Sequence, residues 1–142
     1  MTEESTKDTF DFLGDSIAQA PFHQWLKPKL MSVDEALSTV TIHLPLRPEF
    51  CRRPDHPGIH GGVVAALIDI VGHAAIAAKL RHGAATIDLR VDYLRLAAGK
   101  ELRGTGTVIK FGQTIGVVDV RINDDQDKMV ATGRGAFLTK SI

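Results

Sequence analysis

Two residues that can do chemistry, Asp69 and His73, interrupt the most apolar stretch of the chain, GGVVAALIDIVGHAAIAA, residues 61–78. An ionised carboxylate inside an apolar helix costs on the order of several kcal/mol unless it is paired, hydrogen-bonded or protonated. One reading pairs Asp69 with His73 one helical turn away. The other makes Asp69 a general base or nucleophile held beside a substrate. The residues that open the helix, His60-Gly61-Gly62, favour the second, because the two glycines permit another molecule to approach the bare backbone.

The elements that must position these groups follow from pattern. Residues 1–8 are polar and read as unstructured. Phe10, Leu13 and Ile17 recur at helical spacing, and Pro21 stops that element. Residues 22–30 show no clear period, with Trp25 and Leu26 expected to pack locally. Asp34-Glu35 is a turn, and residues 37–44 are a strand with Val40 and Ile42 on the face of Ser38 and Leu44. Residues 45–58, PLRPEFCRRPDHPG, form a long loop stiffened by proline, of the kind that often carries function. After the apolar helix, Arg81-His82-Gly83 is its terminator. Strands are predicted at 85–94, 102–111, 115–122 and 128–138, with turns at Gly112-Gln113-Thr114 and Asn123-Asp124-Asp125. One nearly all-apolar helix followed by a run of antiparallel strands implies an α+β domain in which a sheet covers that helix.

Composition bounds the partners. The 142 residues are expected to form one domain, with a hydrophobic share of 44% and a charged share of 24%. A formal net charge of zero argues against a nucleic-acid partner held by bulk electrostatics. Cys51 is the one cysteine, and the N-terminal MTEESTKDTF is not a signal peptide, so a cytoplasmic location is expected. The apolar run is read as a core helix and not a membrane span, since it carries Asp69 and His73. His56 and His60 lack further ligand types nearby, so no metal is expected.

The pattern HGG-x6-D, His60-Gly61-Gly62 to Asp69, resembles the signature of hotdog-fold acyl-CoA thioesterases, nearest to the phenylacetate-pathway (PaaI-like) branch. Thr86-Ile87-Asp88-Leu89, Lys110-Phe111-Gly112-Gln113-Thr114 and Gly133-Arg134 resemble further family segments. The resemblance implies a hotdog fold, an antiparallel sheet wrapped around one long helix. It implies an acyl-CoA substrate, aryl or medium-chain, with no cofactor beyond the coenzyme A of that substrate. It also implies a homodimer or homotetramer in which sheets join edge to edge and sites lie between subunits.

Residue by residue, the resemblance gives Gly61 the backbone N–H that polarises the thioester carbonyl. A helix start supplies unpaired N–H groups and partial positive charge for that purpose. Asp69 is the carboxylate, acting on the thioester held by the other subunit's glycine. His60 orders the loop, and Thr86 matches a residue that positions water. The family's Asn, six residues before the histidine, is Pro54 here; aligning the loops on Gly58 brings Asp55 to that position. Gly62, His73, Tyr93, Arg95, Lys110, Gln113, Arg134 and Lys140 are candidates for contact with substrate or coenzyme A, cationic groups suiting phosphates. Gln113 stands where relatives carry a basic residue. Two other activities fit less well: a non-catalytic acyl-CoA sensor and a hotdog acyl-thioester hydratase or dehydratase, whose local motif differs.

Overall fold

A computed structural model describes residues 2–141. In chain order it contains helix α1 (Glu3–Gln19), short helix α2 (Pro21–Leu26), strands β1 (Lys29–Asp34) and β2 (Thr39–Pro45), a 3-10 turn (Pro48–Phe50), helix α3 (Gly61–Leu80), and strands β3 (Thr86–Tyr93), β4 (Glu101–Phe111), β5 (Ile115–Asp124) and β6 (Met129–Leu138). The strands form one antiparallel sheet in the order β1-β2-β4-β5-β6-β3. The sheet curls over α3, as the hotdog expectation requires.

The alternation of β2, β4, β5 and β6 explains that arrangement. Val40, Ile42 and Leu44 of β2, Leu102 of β4, Val118, Val120 and Ile122 of β5, and Val130 and Phe137 of β6 are all buried. They meet Val64, Leu67, Ile68, Val71, Ala74, Ala75 and Ile76 of α3 in one core. By length and mean hydropathy α3 could cross a bilayer; here its apolar side is spent on the sheet. Glycines set how closely the helix lies. A Cβ on Gly104 would come 2.6 Å from Val71 Cγ2, and one on Gly133 would come 2.6 Å from Ile68 Cγ2 and 2.9 Å from the backbone oxygen of Arg90.

Several elements differ from the sequence-based expectation. Residues 3–8, read as unstructured, are the first turns of α1, capped by the Thr2 hydroxyl, which accepts from Ser5 N–H at 3.2 Å; Met1 lies outside the described residues. The buried face of α1 is Thr9, Leu13 and Ile17, while Phe10 sits at its margin, 36% exposed. Thr9 is tolerated there because its hydroxyl is bonded to Glu35 and accepts from Arg81 Nη1. α2 and β1 had no predicted counterpart. α3 ends at Arg81, whose φ of 63° is left-handed, and Gly83 is not its terminator. The Arg81 guanidinium lies over the Phe12 ring at 5.4 Å, so tertiary contacts hold a conformation that glycine usually takes.

Gly133→Ala is expected to destabilise the protein by about 1–3 kcal/mol through overpacking beneath Ile68. A lower midpoint in chemical denaturation at unchanged slope checks it; an unchanged midpoint refutes the close-seat account.

Candidate functional site at the start of α3

The loop that delivers α3 is fixed before the helix begins. Phe50 is fully buried, His60 N–H donates to Phe50 O at 2.8 Å, and Arg52 N–H donates to Gly58 O at 2.9 Å. His60 is the N-cap, and its Nδ1 accepts the Gly62 N–H at 2.8 Å. Tyr93 on β3 donates its hydroxyl to Gly61 O at 2.7 Å. Among the described residues nothing accepts the Gly61 N–H. The helix start therefore keeps one donor free where its dipole is positive, which suits a developing oxyanion.

Gly62, Ala65, Ala66, Asp69 and His73 share the stripe of α3 that the sheet leaves uncovered; Gly62 is exposed and the others are partly buried. The expectation of a fully buried Asp69 is corrected to a half-buried one, because the helix is enclosed on one side only. Thr86 Oγ1 donates to Asp69 Oδ1 at 2.7 Å, bringing two predicted site residues together. The Asp69–His73 pairing does not form. His73 Nε2 instead accepts the Ala84 N–H at 3.1 Å. Burial pushes the His73 imidazole below its ordinary pKa, against the upward pull of the Asp69 carboxylate, and His23 adds to the lowering.

The other candidates separate. Tyr93 and Arg95 line a hollow of about 630 Å³ together with His60, Gly61 and Arg52. Arg52 was not singled out from the sequence; it adds a second cation to the hollow that Arg95 lines, held by its own N–H bond to Gly58 O and the strand-like bridge between Cys51 and Ile59. Asp55, with a left-handed φ of 58°, lines a different hollow with Arg53 and Pro57, so the structure does not join it to Gly61. Arg134 lies on the outer face of the sheet, donating Nε and Nη2 to Asp119 at 2.6 and 2.9 Å. This pairing lowers the Asp119 pKa. Lys110, Gln113 and Lys140 cluster around the β4–β5 turn, where neighbouring Phe111 meets Lys79 near the far end of α3. Within the single chain they lie toward the opposite end of α3 from Gly61. Among the described residues no cluster of three metal-ligating side chains occurs.

A sheet curled over one helix, with a free donor at the helix start and a carboxylate on its open stripe, defines the hotdog class. The chain belongs to the Thioesterase superfamily, whose sequence model matches residues 56–131. An X-ray structure of a thioesterase-superfamily protein superposes with a TM-score of 0.87 at 30% identity, over 92% of this chain and 98% of that one. The Escherichia coli PaaI protein from the phenylacetic acid degradation operon shares the fold, with a TM-score of 0.82 at 23% identity over 94% of each chain. Medium/long-chain acyl-CoA thioesterase YigI of Escherichia coli is 27% identical over 95 residues, 56% of this chain and 61% of YigI. A Halobacterium salinarum protein with a provisional esterase assignment is 37% identical over 94 residues, 59% of this chain and 62% of that protein. The chain thus spans about three fifths of the length of these two relatives.

The His73 geometry generates a pH prediction. The fold favours the neutral ring, while the unfolded chain takes up a proton near the ordinary value of 6.5. The stability from this group is complete above that value. It is lost as pH falls through it, levelling once the folded ring is also protonated. His73→Gln is expected to shrink the drop in Tm between about pH 7.5 and 5.5; an equal drop in both proteins would refute it.

Proposed function

We propose that this protein hydrolyses acyl-CoA thioesters, with the Gly61 N–H polarising the carbonyl and Asp69 activating water or attacking directly. The free Gly61 N–H, left over after His60 takes its neighbour, is the observation that carries the reading. Arg52 and Arg95 beside it supply cations suited to the phosphates of coenzyme A. Superfamily membership and the name of YigI support the substrate class.

Helix geometry argues for a site shared between two copies. Gly61 and Asp69 are eight residues apart on one rigid helix, about 12 Å along its axis at 1.5 Å per residue. They cannot both touch one carbonyl. Two α3 helices packed antiparallel along their uncovered stripes bring the Asp69 of one copy to the Gly61 of the other, and Ala65 and Ala66 allow close approach at the crossing. The open edge of β3 supports the same assembly. Among the described residues β3 pairs only with β6, and Ile87 and Tyr93 are 53% and 55% exposed in the single chain. β3 alternates Ile87, Leu89, Val91 and Tyr93 with Asp88, Arg90 and Asp92, and the unpaired backbone groups along its open edge can pair with a second copy.

The test is release of free thiol from a panel of acyl-CoAs. Asp69→Ala is expected to lower kcat by about 10²–10⁴-fold. Gly61→Pro removes the N–H at a first helical position where proline fits, its Cβ coming 3.3 Å from the Tyr93 hydroxyl, and is expected to cost about 10²–10³-fold. Mixing the two inactive proteins under subunit exchange should restore activity, because a mixed dimer has one intact pair. No turnover by the wild type of any thioester sinks the hydrolase reading; no recovery on mixing sinks the shared site.

A further inference from the structure

The start of α3 opens on two hollows of opposite character. The one described above holds Arg52 and Arg95. The second, of about 310 Å³, lies across His60 on the Gly62 side and is walled by Phe22, Trp25 and Leu26 of α2 against Val63 and Ala66 of α3. That volume falls at the small end of ligand pockets, which span roughly 300–1,000 Å³. Both hollows include His60, so the free Gly61 N–H sits between a cationic chamber and an apolar one.

Phe22 and Trp25 are 52% and 51% exposed, an unusual position for two large aromatic rings side by side. They are nevertheless held in place. Their rings stack with centroids 6.3 Å apart at an interplanar angle of 24°. The Trp25 ring meets the buried Phe50 edge-on at 5.5 Å. The Arg47 guanidinium lies 4.8 Å from the Trp25 ring centre and 4.1 Å from that of Phe50, and it donates to the backbone oxygens of Trp25 and Leu26. A preorganised aromatic wall loses little conformational freedom when it meets a ligand.

We infer that Phe22 and Trp25 form the wall of the acyl-binding site and select thioesters with an apolar acyl group larger than acetyl. This rests on the thioesterase reading. A thioester is amphiphilic, with phosphates at one end and a hydrocarbon at the other. The two hollows match that division in order, with the carbonyl between them at Gly61. Burial of aromatic or alkyl carbon against Phe22 and Trp25 supplies the affinity.

Trp25 is the one tryptophan in the chain, so its fluorescence reports on this wall alone, without any need for turnover. Non-hydrolysable thioether analogues, S-octyl-CoA and S-phenylethyl-CoA, are expected to give a saturable change in emission, and CoA itself none. No change, or the same change with CoA, overturns the assignment. In the thiol-release assay, Phe22→Ala should lower kcat/KM for octanoyl- and phenylacetyl-CoA by about tenfold, leaving the shortest acyl-CoA that is hydrolysed within about twofold. An equal loss for every acyl length overturns it, as does dissociation of the assembly by Phe22→Ala in sedimentation, which would make the wall a contact between copies. A Trp25 response to the analogues in a protein that hydrolyses nothing would sink the thioesterase reading and leave the acyl pocket standing.

Discussion

The depth at which α3 lies against the sheet governs everything else in this molecule. Glycines on β4, β5 and β6 remove the Cβ atoms that would otherwise lift the helix. The space they leave is filled by Val71, Ile76, Ile68 and the Phe137 ring. Packing at that density does not deform smoothly, so even one added methyl group is felt. The seat of the helix fixes the height of its first turn, and with it the distance from Gly61 to Tyr93, whose hydroxyl can reach the Gly61 carbonyl only at this depth. The geometry of the candidate site is inherited from the packing of the core.

The start of α3 shows how few groups are needed to leave one backbone donor free. His60 satisfies one of the orphaned N–H groups, and the buried Phe50 holds His60. The donor left free is backbone, so no side-chain motion is required to present it. At the other end of the proposed reaction, Thr86 fixes one oxygen of Asp69 and leaves the second available.

Much of this was legible in the sequence, and the failures have physical causes. α3 and the four strands after it announce themselves by length and clean alternation. The HGG-x6-D spacing put Gly61 and Asp69 on one helix, and the structure makes His60 its N-cap; Thr86, whose hydroxyl bonds Asp69, came from the resemblance of the strand after the helix. β1 was illegible because it is an edge strand with only Leu30 and Val33 partly covered, and an irregularity between Leu30 and Ser32 breaks its period. α2 is six residues long, too short for a helical period to show. Thr9 hid the inner face of α1 because its polarity is satisfied by partners 26 and 72 residues away. Spacing could not exclude an Asp69–His73 pair; the Ala84 N–H, placed by the turn after the helix, captured the ring instead. Arg52 and the aromatic wall of α2 depend on contacts between distant segments, which no local pattern records.

The strand order also carries a consequence for how the chain comes to be folded. β3 follows α3 directly, yet its one neighbour in the sheet is β6, the last strand of the chain. Pairings of such long sequence separation form late and slowly, since the loop must close before the contact rewards it. During synthesis β3 emerges with both edges bare and waits for more than thirty residues before β6 can receive it. Until then its unpaired backbone groups leave it open to pairing with any other edge. Completion of β6 is therefore the step that gives β3 its place in the sheet and lowers its hazard of mispairing.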